Sequence, residues 1–379
     1  MKALASFALL LLIAVAAFPQ VNPRVPEAAA HAAPKVSPAV SVIPLTISST
    51  VTAASEMDGS LMSLSKCDED GNLYIRKFAM DRPFLGAVVK IAPDGKRAAL
   101  FDPSAFSKLE LDRADAFTPA SDGGLYQLAQ SGVVKPRIYV LRFSSDGSPS
   151  SPVLLDADLE VYAFAAFAGG NILVSGVQRD VMDRKDPGRN VTAVFSADGR
   201  RLQELSFESS QSAAQRTLSN VGTPAESANG AAQFSPGENQ SAVSTEVAKP
   251  APMLDLSDAE AGSDGNLYVI RPSSPALIRV ISPSSRILRT LKIRPPAPGL
   301  IPSAFHVSGN QLAVSFRNDN DPQQMLVVAD AEAGRRIGVY SAVTDMGQSF
   351  ACYSANDGIF TFLKVGEGSA LEIIRAKAQ

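Results

Sequence analysis

Tryptophan is absent from the 379 residues, and histidine and cysteine occur only twice each, as His31, His306, Cys67 and Cys352. So few imidazoles limit the chemistry that a site could run. A Ser-His-Asp hydrolase would need His306 as its base, and no Gly-x-Ser-x-Gly motif accompanies it. No catalytic residue is therefore assigned. His306, within Ala304-Phe305-His306-Val307, is expected as a satisfied residue on an inner strand. An excess of basic charge is lacking too. Thirty-five Lys and Arg stand against 38 Asp and Glu, a net charge of −3. Nucleic acid is excluded as a partner, because phosphate binding needs a concentrated basic surface.

Long apolar runs are missing everywhere except at the start. There, Met1-Lys2 precedes an apolar stretch from Ala3 to Phe18 with Leu9 to Ile13 at its centre. One positive charge, a short apolar segment and small residues beyond it read as a signal peptide over 1–17. The run is short for a membrane anchor. The mature protein is expected to be secreted or periplasmic, with no stable membrane insertion. Residues 18–40 are rich in Ala, Pro and Val without periodicity, and read as a flexible linker.

From residue 41 to 379 one pattern recurs, a turn of Asp, Gly or Asn followed by an apolar strand. It stands as Asp70-Gly71-Asn72-Leu73-Tyr74, Asp122-Gly123-Gly124-Leu125-Tyr126 and Gly169-Gly170-Asn171-Ile172. It returns as Asp264-Gly265-Asn266-Leu267-Tyr268, Gly309-Asn310-Gln311-Leu312 and Asp357-Gly358-Ile359. A second turn follows roughly 20 to 29 residues after each of the first five, as at Asp94-Gly95, Asp146-Gly147 and Asp198-Gly199. Such turns supply the positive φ that tight hairpins need. Two hairpins per repeat make four antiparallel strands, here termed A to D. The spacing of 52 residues from Leu73 to Leu125 and 47 from there to Ile172 is that of a propeller blade. The step from Ile172 to Leu267 is 95 residues, about two repeats. Residues 207–250 are too polar to bury a core and read as a disordered insertion. The expected fold is one all-β, six-bladed β-propeller, with seven blades as the alternative.

The last repeat has only three strands before the chain stops. The unassigned strand Val42 to Ile47 is expected to supply the fourth and close the ring, with Pro44 tolerated on an outer edge. Cys67 and Cys352 fall on the innermost strands of the first and last repeats, which such closure makes neighbours. A disulfide there would stabilise by roughly 4 to 5 kcal/mol in the chain-entropy model. The register leaves two separate buried thiols open as well. Cys67 lies three residues before its Asp-Gly turn, and Cys352 five before its own.

These turns and strands resemble the six-bladed propellers of the NHL, SMP-30 and TolB-like group, with Asp264 to Val269 the closest match. The resemblance implies blades and says little about activity, since propellers host many functions. The Trp- and Gly-rich metal motifs of SMP-30-like lactonases are missing. Metal-binding through several His, as in propeller lyases, cannot be met by His306.

Propellers present ligands at an axial mouth. The segments that enter the A strands here are acidic, which marks Asp58, Asp112, Asp115, Asp158, Glu160, Asp258, Glu260 and Asp345 as candidate ligand-binding residues. The expected function is binding of a protein, peptide or glycan at that mouth by a monomer, without a cofactor. Two readings stand beside it. Carboxylates from several blades could hold Ca²⁺, and a metal-dependent hydrolase or lactonase would use such ligands.

Overall fold

The computed structural model describes residues 41–53, 65–77, 82, 84–132, 136–157, 159–178, 188–205, 259–271, 273–318, 321–347 and 349–379. The expected signal peptide, linker and 207–250 insertion lie outside the described residues. Strand β1 (Ile43–Thr52) comes first, then β2 (Ser65–Cys67), β3 (Leu73–Arg76), β4 (Val88–Ile91) and β5 (Arg97–Phe101). The second set is β6 (Arg113–Pro119), β7 (Leu125–Ser131), β8 (Arg137–Phe143) and β9 (Val153–Leu154). The third is β10 (Glu160–Ala166), β11 (Ile172–Gln178), β12 (Arg189–Phe195) and β13 (Arg201–Glu204). Then follow β14 (Ala259–Ala261), β15 (Leu267–Arg271), β16 (Ala276–Ile281) and β17 (Ile287–Ile293). The last are β18 (Ile301–Ser308), β19 (Gln311–Asn318), β20 (Asp321–Asp330), β21 (Arg336–Ala342), β22 (Ser349–Ser354), β23 (Ile359–Val365) and β24 (Leu371–Ala378).

The fold is all-β and propeller-like. β2–β5, β6–β9, β10–β13 and β14–β17 make four separate four-stranded sheets, the first to fourth, each a meander in chain order. The expectation of six or seven separate blades is not met in that form. The remaining eight strands hydrogen-bond as one sheet, in the order β18-β19-β20-β21-β1-β24-β23-β22. The fusion has a local cause. Ile43 and Pro44 of β1 pair parallel with Tyr340 and Ser341 of β21, while Leu45 to Thr52 pair antiparallel with β24.

Burial follows strand position. The second strands β3, β11 and β15 are largely buried on both faces, as Leu73, Tyr74 and Ile75 show, whereas β7 and the outermost strands β5 and β17 alternate. The core is accordingly spread between sheets. Tyr74 and Phe101 of the first sheet pack with Phe117, Leu125 and Phe143 of the second. Ile75 and Ile91 pack on the other side with Leu363 and Ile373. The innermost strands touch in series: β2 meets β6, β6 meets β10, then β14, β18 and β22, and β22 returns to β2.

The second turn of each repeat is fitted against the preceding sheet. Gly147 has φ +89°, and a Cβ on it would lie 2.3 Å from the Leu100 carbonyl oxygen of β5. Gly199, at φ +91°, would meet the Leu154 carbonyl of β9 at 2.1 Å. Glycine is required at both by conformation and by close approach.

At the junction of first and last strands, Cys67 and Cys352 form a disulfide with Cα atoms 6.0 Å apart. The offsets from their turns stay unequal: Cys67 stands opposite Leu73, the pair nearest its turn, whereas Cys352 stands opposite Thr361, two pairs farther from its own. Deleting residues 41–47 should lower the melting temperature sharply and expose the β24 edge, read as lost monomer in size-exclusion chromatography. Replacing both cysteines by alanine should lower stability by up to about 5 kcal/mol in denaturant titration. Reductant should then have no further effect.

Candidate functional site

The tyrosines that follow the recurrent Asp-Gly turns belong to clasps between sheets. Asp68 closes the β2–β3 turn, where its Oδ1 accepts the Asn72 N–H at 2.9 Å. Tyr74 Oη lies 3.0 Å from both Asp68 Oδ2 and the carbonyl of Gly123 in the next sheet. Its single proton cannot serve both fully, and Lys90 complements it. Lys90 Nζ is 3.2 Å from Gly123 O and 3.6 Å from Asp68 Oδ2. Burial and the Asp68 carboxylate push the Tyr74 hydroxyl well above the usual tyrosine range. The device recurs in the fourth sheet, where Tyr268 Oη donates to Asp264 Oδ2 at 2.9 Å. Arg289 Nη2 donates to Tyr268 Oη at 3.1 Å and to Ala331 O at 3.2 Å. In the second sheet Arg142 lies over the Tyr126 ring and donates to the Ala197 carbonyl of the third.

The inner strands surround a cavity of about 570 Å³ at the end where they run into these turns. Its lining includes the Asp68–Asp70 turn, Thr118 to Gly123, Ala166 to Ala168, Ala259 to Ser263, and His306 with Val307. Three charged or polar side chains from different sheets form its inner part. Lys66, 8% exposed, donates from Nζ to the Ala259 carbonyl at 2.8 Å. β14 stands three steps from β2 either way around the series of inner strands, so this contact crosses the axis. Glu260 Oε2 accepts the Val307 N–H at 2.8 Å. The same oxygen lies 2.8 Å from His306 Nδ1, a close electrostatic contact that is not aligned as a hydrogen bond.

Among the described residues marked from the sequence as ligand-binding candidates, only Glu260 lines this cavity. Asp58, Asp158 and Asp258 lie outside the described residues, and nothing is described of the Asp115 side chain. Glu160 is exposed at the start of β10, and Asp345 is exposed in a 3-10 turn before β22. Asp112 accepts the Gly132 N–H at 2.5 Å and so holds the end of β7. These last residues sit where inner strands begin, while the cavity lies where they end. Lys66, Asp68, Lys90 and Asp122 were missed. The available signal was a lysine within an innermost strand, Ser65-Lys66-Cys67, where a charge needs a partner. Among the described residues, no three His, Cys, Asp or Glu side chains are grouped as metal ligands.

No family model matches the chain, and no curated protein does. Solved structures are similar at low identity. A member of the DUF4221 family from Bacteroides vulgatus is 11% identical, with a TM-score of 0.44 over 89% of this chain and 99% of that one. A protein of unknown function from Bacteroides caccae is 12% identical, with a TM-score of 0.41 over 76% and 84%. A candidate TolB from Agrobacterium tumefaciens is 13% identical, with a TM-score of 0.39 over 74% and 80%.

The clasps make a prediction at high pH. Burial, with the Asp264 hydrogen bond, pushes the Tyr268 hydroxyl up to about 12. A pKa raised above the unfolded value of about 10 contributes stability that is present below pH 10 and lost as pH rises through 12. Denaturant titrations from pH 9 to 12 should therefore show a steeper fall for the wild type than for Tyr268→Phe. Equal slopes would mean that the clasp does not hold the proton.

Proposed function

We propose that this chain is an exported β-propeller of six blades, beside the NHL, SMP-30 and TolB-like group, and that it binds a protein, peptide or glycan without catalysing a reaction. The count treats the eight-stranded sheet as two blades, β18–β21 and β22–β24 with β1. The closed series of inner strands supports that count. Export is supported by the apolar N-terminal run, and a monomer by closure of the ring within one chain. The observation that carries the binding reading is the axial cavity. Its volume falls within the roughly 300–1,000 Å³ of small-ligand sites, and polar groups from several sheets converge on it. On this reading the binding mouth lies at the A–B turns and not at the start of the A strands. His306 has a carboxylate neighbour, but no nucleophile is placed beside it by any described contact, and recognition is the simpler role.

Peptide and glycan arrays probed with the wild type and with Ala168→Trp test this reading. Ala168 is exposed at the cavity rim, so the indole should obstruct the mouth and leave the core intact. Wild-type signals should fall at least tenfold in a variant with unchanged melting. Signals that persist would place recognition elsewhere on the ring.

A further inference from the structure

We propose that the cavity takes a positively charged group, a protonated amine or guanidinium from a lysine- or arginine-bearing peptide, with Glu260 as anchor and His306 as its positioning residue. This rests on the binding reading above and adds the ligand's chemistry. Charge is the first argument. Five carboxylates line the cavity against two lysines. Both lysines have protein acceptors: Lys90 rests on Gly123 O beside Asp68, and Lys66 on Ala259 O. The excess is negative, and low-dielectric walls focus such a field on an incoming cation.

The second argument is the state of Glu260 itself. Its side chain is 13% exposed, and both of its described contacts go to Oε2, from the Val307 N–H and the His306 ring. Oε1 has no partner among the described residues. Oε1 is not among the fully buried polar atoms, so it is open to the cavity and to a donor from a ligand. A ligand N⁺–H supplies the missing donor as a charge-assisted hydrogen bond. The third argument is His306, 4% exposed, whose buried Nδ1 lacks an aligned hydrogen bond. The ring stands against Glu260 Oε2, so the carboxylate is held from two sides and turns its other oxygen to the cavity. An anchor fixed before binding loses little freedom on binding.

The test is calorimetric titration of the whole protein with four capped tripeptides, acetyl-Gly-X-Gly-amide with X as Lys, Arg, Gln or Glu, at low salt. The Lys or Arg peptide should bind saturably and at least tenfold more tightly than the Gln peptide. Glu260→Gln should lose at least tenfold of that affinity. His306→Ala should weaken it several-fold, with recovery in His306→Gln, which keeps an N–H beside the carboxylate. Absence of a preference for the basic peptides in the wild type would overturn the proposal, and that comparison needs no variant to fold. Wild-type affinity in a folded Glu260→Gln would overturn it equally. Gln or Glu peptides that bind best, and are blocked by Ala168→Trp, would reject the cation and leave the mouth reading intact. Binding unaffected by Ala168→Trp would reject both.

Discussion

The architecture depends on the pairing of β1 with β24, two strands from opposite ends of the folded body. Each sheet buries its faces only against its neighbours, so a series of sheets has two unsatisfied ends unless the last meets the first. The last three strands in the chain make an incomplete sheet, and Leu45 to Thr52 supply the missing edge. The same strand serves three contacts at once. Leu45 joins the cluster of Ala342, Phe360 and Ile374. Ile43 and Pro44 reach the outer edge of β21. At its far end Thr52 receives the Gly95 turn of the first sheet, where a Cβ would lie 2.7 Å from the Thr52 carbonyl. The disulfide then ties the innermost strands at the point where β1 ties the outer ones.

Much of this was legible in the sequence because it rests on local chemistry. Asp-Gly and Gly-Asn fix hairpins within a few residues, and alternating apolar strands on either side follow from the pleat. The clasps were not legible, though their tyrosines were in plain view. Tyr74 and Tyr126 pair across the ladder with Lys90 and Arg142, while Tyr268 draws its cation from Arg289, one strand farther out. The acceptor in each case is a carbonyl of the following sheet. No spacing within one repeat encodes that partner. The cysteines left two readings open for a related reason, since the offset of each from its own turn does not say which residue of the neighbouring sheet it faces.

The site was legible in part, and the reason is geometric. Composition marks where acidic residues enter the inner strands, but it does not say which end of the ring retains a cavity. Asp112 and Glu160 stand at the entering end. Glu260 lies at the cavity end because it stands opposite Tyr268, next to the turn that Gly262 and Asn266 close.

Innermost strands pair on one side only, so their other edge presents unpaired backbone groups to the axis. Lys66 and Glu260 answer that need: the ammonium takes the Ala259 carbonyl, and the carboxylate takes the Val307 N–H. Charged side chains are tolerated in the ring's interior because each satisfies an edge group that a hydrophobic residue would leave orphaned. This backbone duty also gives Glu260 its fixed position, since swinging towards solvent would strand the Val307 N–H. An amide oxygen at residue 260 could accept the same N–H. The edge requirement is therefore met by shape and polarity, and only the remaining oxygen needs its charge. The fold thus depends on one oxygen of this side chain, Oε2, and leaves the other open to a ligand.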